Sequence, residues 1–80
     1  MDTHDLKKTV VSSLVEVAPN VDPSTLDPAS TFRDQFDFDS IDHLNFVLAL
    51  EKALGIKIPE LEYPQLAGLN AALDYLSTRS

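Results

Sequence analysis

Asp39-Ser40-Ile41-Asp42-His43-Leu44-Asn45-Phe46-Val47-Leu48-Ala49-Leu50-Glu51-Lys52-Ala53-Leu54-Gly55 is where a polar loop turns into an apolar helix. The spacing predicts a helix over Ser40–Leu54. Asp39 is its natural cap, because its carboxylate accepts the orphan amide of Asp42, and Asp42 reaches back as in a capping box. Gly55 ends it, since glycine enters the left-handed conformation without a steric cost. Leu44, Val47, Leu48 and Glu51 form one stripe; Phe46, Leu50, Ala53 and Leu54 form another. This apolar arc is wider than one bundle seam needs, so part of it is expected to stay exposed.

Upstream, Leu6, Val10, Leu14 and Val17 fall on one face of a helix predicted over Thr3–Val17, capped by Asp2 or Thr3 and stopped by Pro19. Residues 18–38 read as a long connection punctuated by Pro19, Pro23 and Pro28, with a short helical turn near residues 27–31. Val21, Leu26, Phe32, Phe36 and Phe38 are expected to pin it across the core. Downstream, residues 56–59 read as an extended connector. Glu60–Leu66 allows a turn or two that Pro64 makes short, irregular or split at Tyr63. A last helix is predicted over residues 69–78, with Leu69, Ala72, Leu73 and Leu76 on one face. The expected fold is all-α: a small antiparallel four-helix bundle, three long helices plus one short irregular one, with a long first loop.

Eighty residues suffice for one small domain, here residues 1–80, and 44% of them are hydrophobic. There is no cysteine, hence no disulfide and no thiolate chemistry. No run of about 18 apolar residues exists to span a membrane. Met1 to Lys8 lacks the apolar core of a signal peptide. A cytoplasmic protein is expected. Thirteen acidic and six basic residues give a formal net charge of −7, which repels nucleic acid. Asp34, Asp37, Asp39 and Asp42 concentrate that charge and favour docking on basic protein surfaces, although acidity also simply keeps small domains soluble.

Ser40 is the residue with chemistry to offer. A nucleophilic serine needs an oriented base and an oxyanion pocket. His43 shares its helix face but reads as a surface residue with nothing to orient it, and the glycines of a nucleophile elbow are missing. The aspartates do not make a calcium loop: counted from Asp37, the glycine position holds Asp42 and the terminal glutamate position holds Leu48. No metal site is expected. Two readings of Ser40 remain open from its surroundings alone. It is either an unremarked first-turn serine or a hydroxyl displayed for modification beside the positive end of a helix.

The ordered set of segments is similar to the acyl carrier proteins over nearly the whole chain. Asp39-Ser40-Ile41 resembles that family's Asp-Ser-Leu attachment motif. Phe32-Arg33-Asp34-Gln35-Phe36 resembles the stretch before it. Ala49-Leu50-Glu51 and Ile56-Lys57-Ile58-Pro59 resemble the end of the second helix and the loop after it. Ala71-Ala72-Leu73-Asp74-Tyr75-Leu76 resembles the last helix.

The resemblance implies a carrier and not an enzyme. Ser40, flanked by Asp39 and Ile41, would bear 4′-phosphopantetheine, placed there by a phosphopantetheinyl transferase using coenzyme A. Acyl groups would ride as thioesters for fatty acid, polyketide or lipid biosynthesis. Asp42, Leu44, Asn45, Val47, Leu48 and Glu51, with Ile41, would face partner enzymes with basic docking surfaces. Phe46 and Leu50 would face the bundle and its acyl cavity. A monomeric, free-standing carrier is expected. Asp37, where the family usually has glycine, and Asn45 and Lys52, where it has glutamates, point to a specialised member; Pro64 is also unusual. An aminoacyl carrier and an acidic interaction module without a prosthetic group are the alternatives.

Overall fold

The computed structural model describes residues 2–79. Helix α1 spans Thr3–Val17 and is capped by Asp2, whose carboxylate accepts the Asp5 amide at 2.9 Å. Leu6, Val10 and Leu14 are buried and Val17 is half-buried, as the stripe requires. Pro19 cannot continue the helix, and α1 ends two residues before it.

The connection that follows departs from expectation in one place. Residues 27–31 do not make the helical turn. Asp27 instead accepts the Ala29 amide and the Ser30 hydroxyl, both at 2.9 Å, and a side chain that satisfies its own local backbone competes with helix. The helical turn forms just after it, as α2 over Phe32–Gln35, with Thr31 as cap. A 3₁₀ turn at Pro23–Thr25 precedes both. Gln35 bolts the loop closed. Its Oε1 accepts the Asp27 amide at 2.8 Å, while its Nε2 donates to the Asp27 and Ser30 carbonyls at 2.8 and 3.1 Å.

The phenylalanines do pin the loop. Phe32 lies at the centre, with ring centroids 5.8 Å from Phe36, 5.4 Å from Phe38 and 5.3 Å from Phe46. The stacked and edge-on geometries are those that aromatic quadrupoles favour. Phe32 and Phe38 are buried, while Val21, Leu26 and Phe36 pack partly buried against the core.

Helix α3 spans Ser40–Leu54 and ends at Gly55, whose φ of 66° puts it in the left-handed region. An extended stretch carries buried Ile58, whose amide donates to Glu51 Oε2 at 2.7 Å. Glu60–Leu66 is one irregular 3₁₀ segment with Pro64 inside it, not a split pair. Helix α4 spans Leu69–Arg79, one residue longer than predicted. Leu69, Ala72, Tyr75 and Leu76 are buried and Leu73 is half-buried.

Helix α1 packs on both α3 and α4, and the 3₁₀ segment packs on α4. Among the described residues the fold is all-helical, a small bundle, with one isolated bridge between Thr31 and Gly68. That bridge joins the first loop to the segment before α4. The Phe32 amide donates to the Ala67 carbonyl at 2.9 Å, and a Cβ on Gly68 would lie 2.9 Å from the Ser30 carbonyl oxygen. Glycine is the residue that permits this approach. No helix among the described residues is long and apolar enough to cross a membrane.

Candidate functional site

Ser40 is the first residue of α3, and it is exposed. The two acids around it are occupied with each other's backbone. Asp39 Oδ1 accepts the Asp42 amide at 2.9 Å, and Asp42 Oδ2 accepts the Asp39 amide at 3.2 Å. This reciprocal cap fixes where the chain enters the helix, and so fixes where the Ser40 side chain leaves it. The expectation for Asp39 and Asp42 was this pair of hydrogen bonds, and both are present.

Beside Ser40 lies an open cleft of about 660 Å³. Phe38, Ser40, His43 and Leu44 line one side, and Tyr63 and Pro64 line the other. Arg33, Asp34 and Glu60 also contribute to its lining. The walls come from opposite ends of the sequence between residues 31 and 67, joined by the Thr31–Gly68 bridge. The cleft was not foreseen from the sequence. Its only local signal was the irregularity that Pro64 gives the 3₁₀ segment.

His43 corrects the expectation of a surface residue. It is half-buried, its ring lies edge-on to Phe38 at 6.3 Å, and its Nε2 is 2.8 Å from the Tyr63 carbonyl oxygen. A carbonyl only accepts, so Nε2 carries the proton. His43 therefore ties α3 to the 3₁₀ segment across the cleft. Among the described residues, no hydrogen bond links it to Ser40. Nor does any group of three or more His, Cys, Asp or Glu side chains among them converge as a metal cage. What the arrangement offers chemically is an exposed alcohol on a capped turn, next to a largely apolar trough.

The residues expected to face partners divide. Ile41, Leu44 and Leu48 are 69%, 43% and 47% exposed, and Asn45 is exposed as well. Asp42 is half-buried in its cap. Glu51 is half-buried and partly committed to the Ile58 amide. Val47 does not belong with them. It is fully buried in the core, because its side of the wide apolar arc is covered. Phe46 and Leu50 are core residues as expected, but neither lines the cleft. Leu61, which the sequence reading passed over, is 94% exposed on the 3₁₀ segment.

The site fits a phosphopantetheine arm by two features of its own. The hydroxyl that would bear the arm is exposed, and the cleft beside it, lined by both polar and apolar side chains, gives a tethered group somewhere to lie.

Comparison with known proteins agrees with that fit. The family model described as "Phosphopantetheine attachment site" matches residues 8–76. The chain is 34% identical to an acyl carrier protein of Rubrobacter xylanophilus, over 70% of this chain and 69% of that protein. It is 29% identical to an acyl carrier protein of Thermosynechococcus vestitus, over 86% of this chain and 85% of the other. It is 32% identical to the mitochondrial acyl carrier protein 2 of Arabidopsis thaliana, over 85% of this chain. The chain spans about half, 54%, of the length of that Arabidopsis relative.

Proposed function

The chain belongs to the acyl carrier protein family, whose members carry phosphopantetheine and are carriers rather than enzymes, and from that premise we propose that Ser40 is the residue that bears the arm. The observation that carries this is the exposed hydroxyl at the head of α3, held by the Asp39–Asp42 cap and bordering the cleft.

Ser40 Oγ accepts the phosphopantetheinyl group from coenzyme A, adenosine bisphosphate leaves, and the transferase takes the serine proton. This chain supplies no hydrogen-bonded base for that step among its described residues. When attached, the arm supplies a thiol that holds acyl groups as thioesters. The chain's own contribution is placement. The helix N-terminus favours an attached phosphodiester by about 0.3–1 kcal/mol at an exposed site. Asp39 and Asp42 oppose it through their charge, so the two effects nearly cancel. Their use is to fix the turn and to be read by the transferase.

Ile41, Leu44 and Leu48 form the apolar part of the docking face, with Asn45 beside them. The net charge of −7 steers partner enzymes that present basic surfaces. The protein works as a monomer, residues 1–80 acting as one carrier domain in fatty acid, polyketide or lipid biosynthesis. We assign it to the cytoplasm; the mitochondrion, named for the Arabidopsis relative, is the alternative that cell fractionation separates.

Incubation with a broad-specificity transferase and coenzyme A tests the proposal. The wild type should gain one phosphopantetheinyl mass and Ser40→Ala none. Modification of the variant, or refusal by a folded wild type, refutes it.

A further inference from the structure

We propose that Arg33 holds the phosphodiester at the root of the arm, its guanidinium pairing with that group once Ser40 is modified. The inference rests on the reading of Ser40 as the attachment point.

Attachment adds one negative charge to a chain that already carries −7. It adds that charge where acids gather, since Asp34, Asp39 and Glu60 line the same cleft as Ser40. The end of α3 and the Asp39–Asp42 pair nearly offset each other, so the balance falls to the cation nearby. Among the described residues, Arg33 is the Lys or Arg side chain that lines this cleft. His43 lines it too, but its Nε2 proton is already given to the Tyr63 carbonyl oxygen 2.8 Å away. The other ring nitrogen of a neutral imidazole only accepts.

The neighbours of Arg33 fix its backbone while its side chain stays exposed. It is the second residue of α2. Before it, Phe32 is completely buried, and its amide donates to the Ala67 carbonyl at 2.9 Å. Two residues after it, Gln35 makes its hydrogen bonds to the backbone of Asp27 and Ser30. Arg33 thus leaves a short helix that is anchored on both sides of it. Phe32 serves the core and Gln35 serves the loop, whereas no hydrogen bond or ion pair among the described residues engages the guanidinium. A guanidinium presents parallel N–H donors that match two phosphate oxygens, and it keeps its charge throughout the physiological pH range. Lysine would supply the charge without the fork.

The test compares wild type, Arg33→Gln, Arg33→Lys and Lys7→Gln, the last an equal loss of charge at a residue outside the cleft lining. Each is measured bare and after complete modification from coenzyme A by a broad-specificity transferase. The first readout is the Arg33 Nε resonance of the wild type. It should shift on modification and move back in about 1 M salt, which screens charges beyond roughly 3 Å. The second readout is the change in melting temperature that modification causes. In Arg33→Gln that change should be less favourable than in wild type by roughly 1–5 °C, the size of one surface ion pair in a domain of this length. Arg33→Lys should fall between the two, and Lys7→Gln should match the wild type. An Nε resonance that ignores modification overturns the inference. So does an equal melting-temperature change in wild type and Arg33→Gln; a variant weakened alike in both forms would make Arg33 a partner of Asp34 or Glu60, not of the arm. If coenzyme A adds no mass to the wild type, the carrier reading itself has failed and the inference falls with it, an outcome distinct from modification that Arg33 does not sense.

Discussion

The two faces of α3 carry similar residues and do opposite things. On one, Phe46, Val47 and Leu50 are fully buried. On the other, Ile41, Leu44 and Leu48 stand largely in solvent. A helix whose apolar arc exceeds what its neighbours cover has surface left over, and that surface is where the proposed docking face lies. The buried face holds the fold, and the open face together with the capped first turn displays Ser40. Substitutions at four positions can break or sharpen this division.

The largest effect belongs to the buried face. Phe46→Ala removes a ring that contacts Phe32 and Phe38, and it should cost about 3–5 kcal/mol in urea unfolding. A loss near that of an exposed position would end the claim that the two faces differ. Next is the turn between them. Asp39→Ala leaves the Asp42 amide without its acceptor and should cost about 0.5–2 kcal/mol, with Asp39→Asn recovering most of it. If Asn recovers stability but not the rate of transferase modification, the charge of Asp39 is being read by the enzyme apart from its role as a cap.

The open face should behave differently. Leu48→Ala should change stability by no more than about 0.5 kcal/mol, yet raise the transferase KM. A stability loss of core size would move Leu48 to the packing side. The smallest effect lies in the loop that leads to the site. Hydrogen bonds from the Ala29 amide and the Ser30 hydroxyl hold the Asp27 carboxyl below its ordinary value of 3.8. A lowered folded-state value means that Asp27 adds stability in full above pH 3.8, and that this share vanishes as pH falls through the folded value. Asp27→Asn should therefore be slightly less stable than wild type at neutral pH, and the gap should close in acid. A gap that widens in acid would reverse the sign.

Local signals made the helix ends readable. Asp2, Asp39 with Asp42, and Gly55 each act within a few residues, and each is found doing what its chemistry predicts. The same locality explains the short helix placed near residues 27–31. Asp27 offers the backbone a side-chain acceptor there, and the turn moves to Phe32–Gln35, where Gln35 ties it down from eight residues away. Face assignments failed where they depended on neighbours. Periodicity places Val47 beside Leu44 and Leu48, but it does not say which part of the arc the rest of the bundle covers. His43 and the cleft were out of reach for a related reason. Both exist because residues 38–44 meet residues 60–67, and nothing in either stretch alone announces the other. The position of Ser40 at the head of its helix was legible; the trough beside it was not.

The central claim is that the alcohol at the head of α3 is where the arm is attached. Fragment mass spectrometry of the protein purified from its native host tests it without any chosen transferase or donor. A phosphopantetheinyl mass, with or without an acyl group, should map to the fragment containing Asp39-Ser40-Ile41. The same mass on Ser12, Ser13 or any other serine, or a chain that its host leaves wholly bare beside an active transferase, would contradict the account.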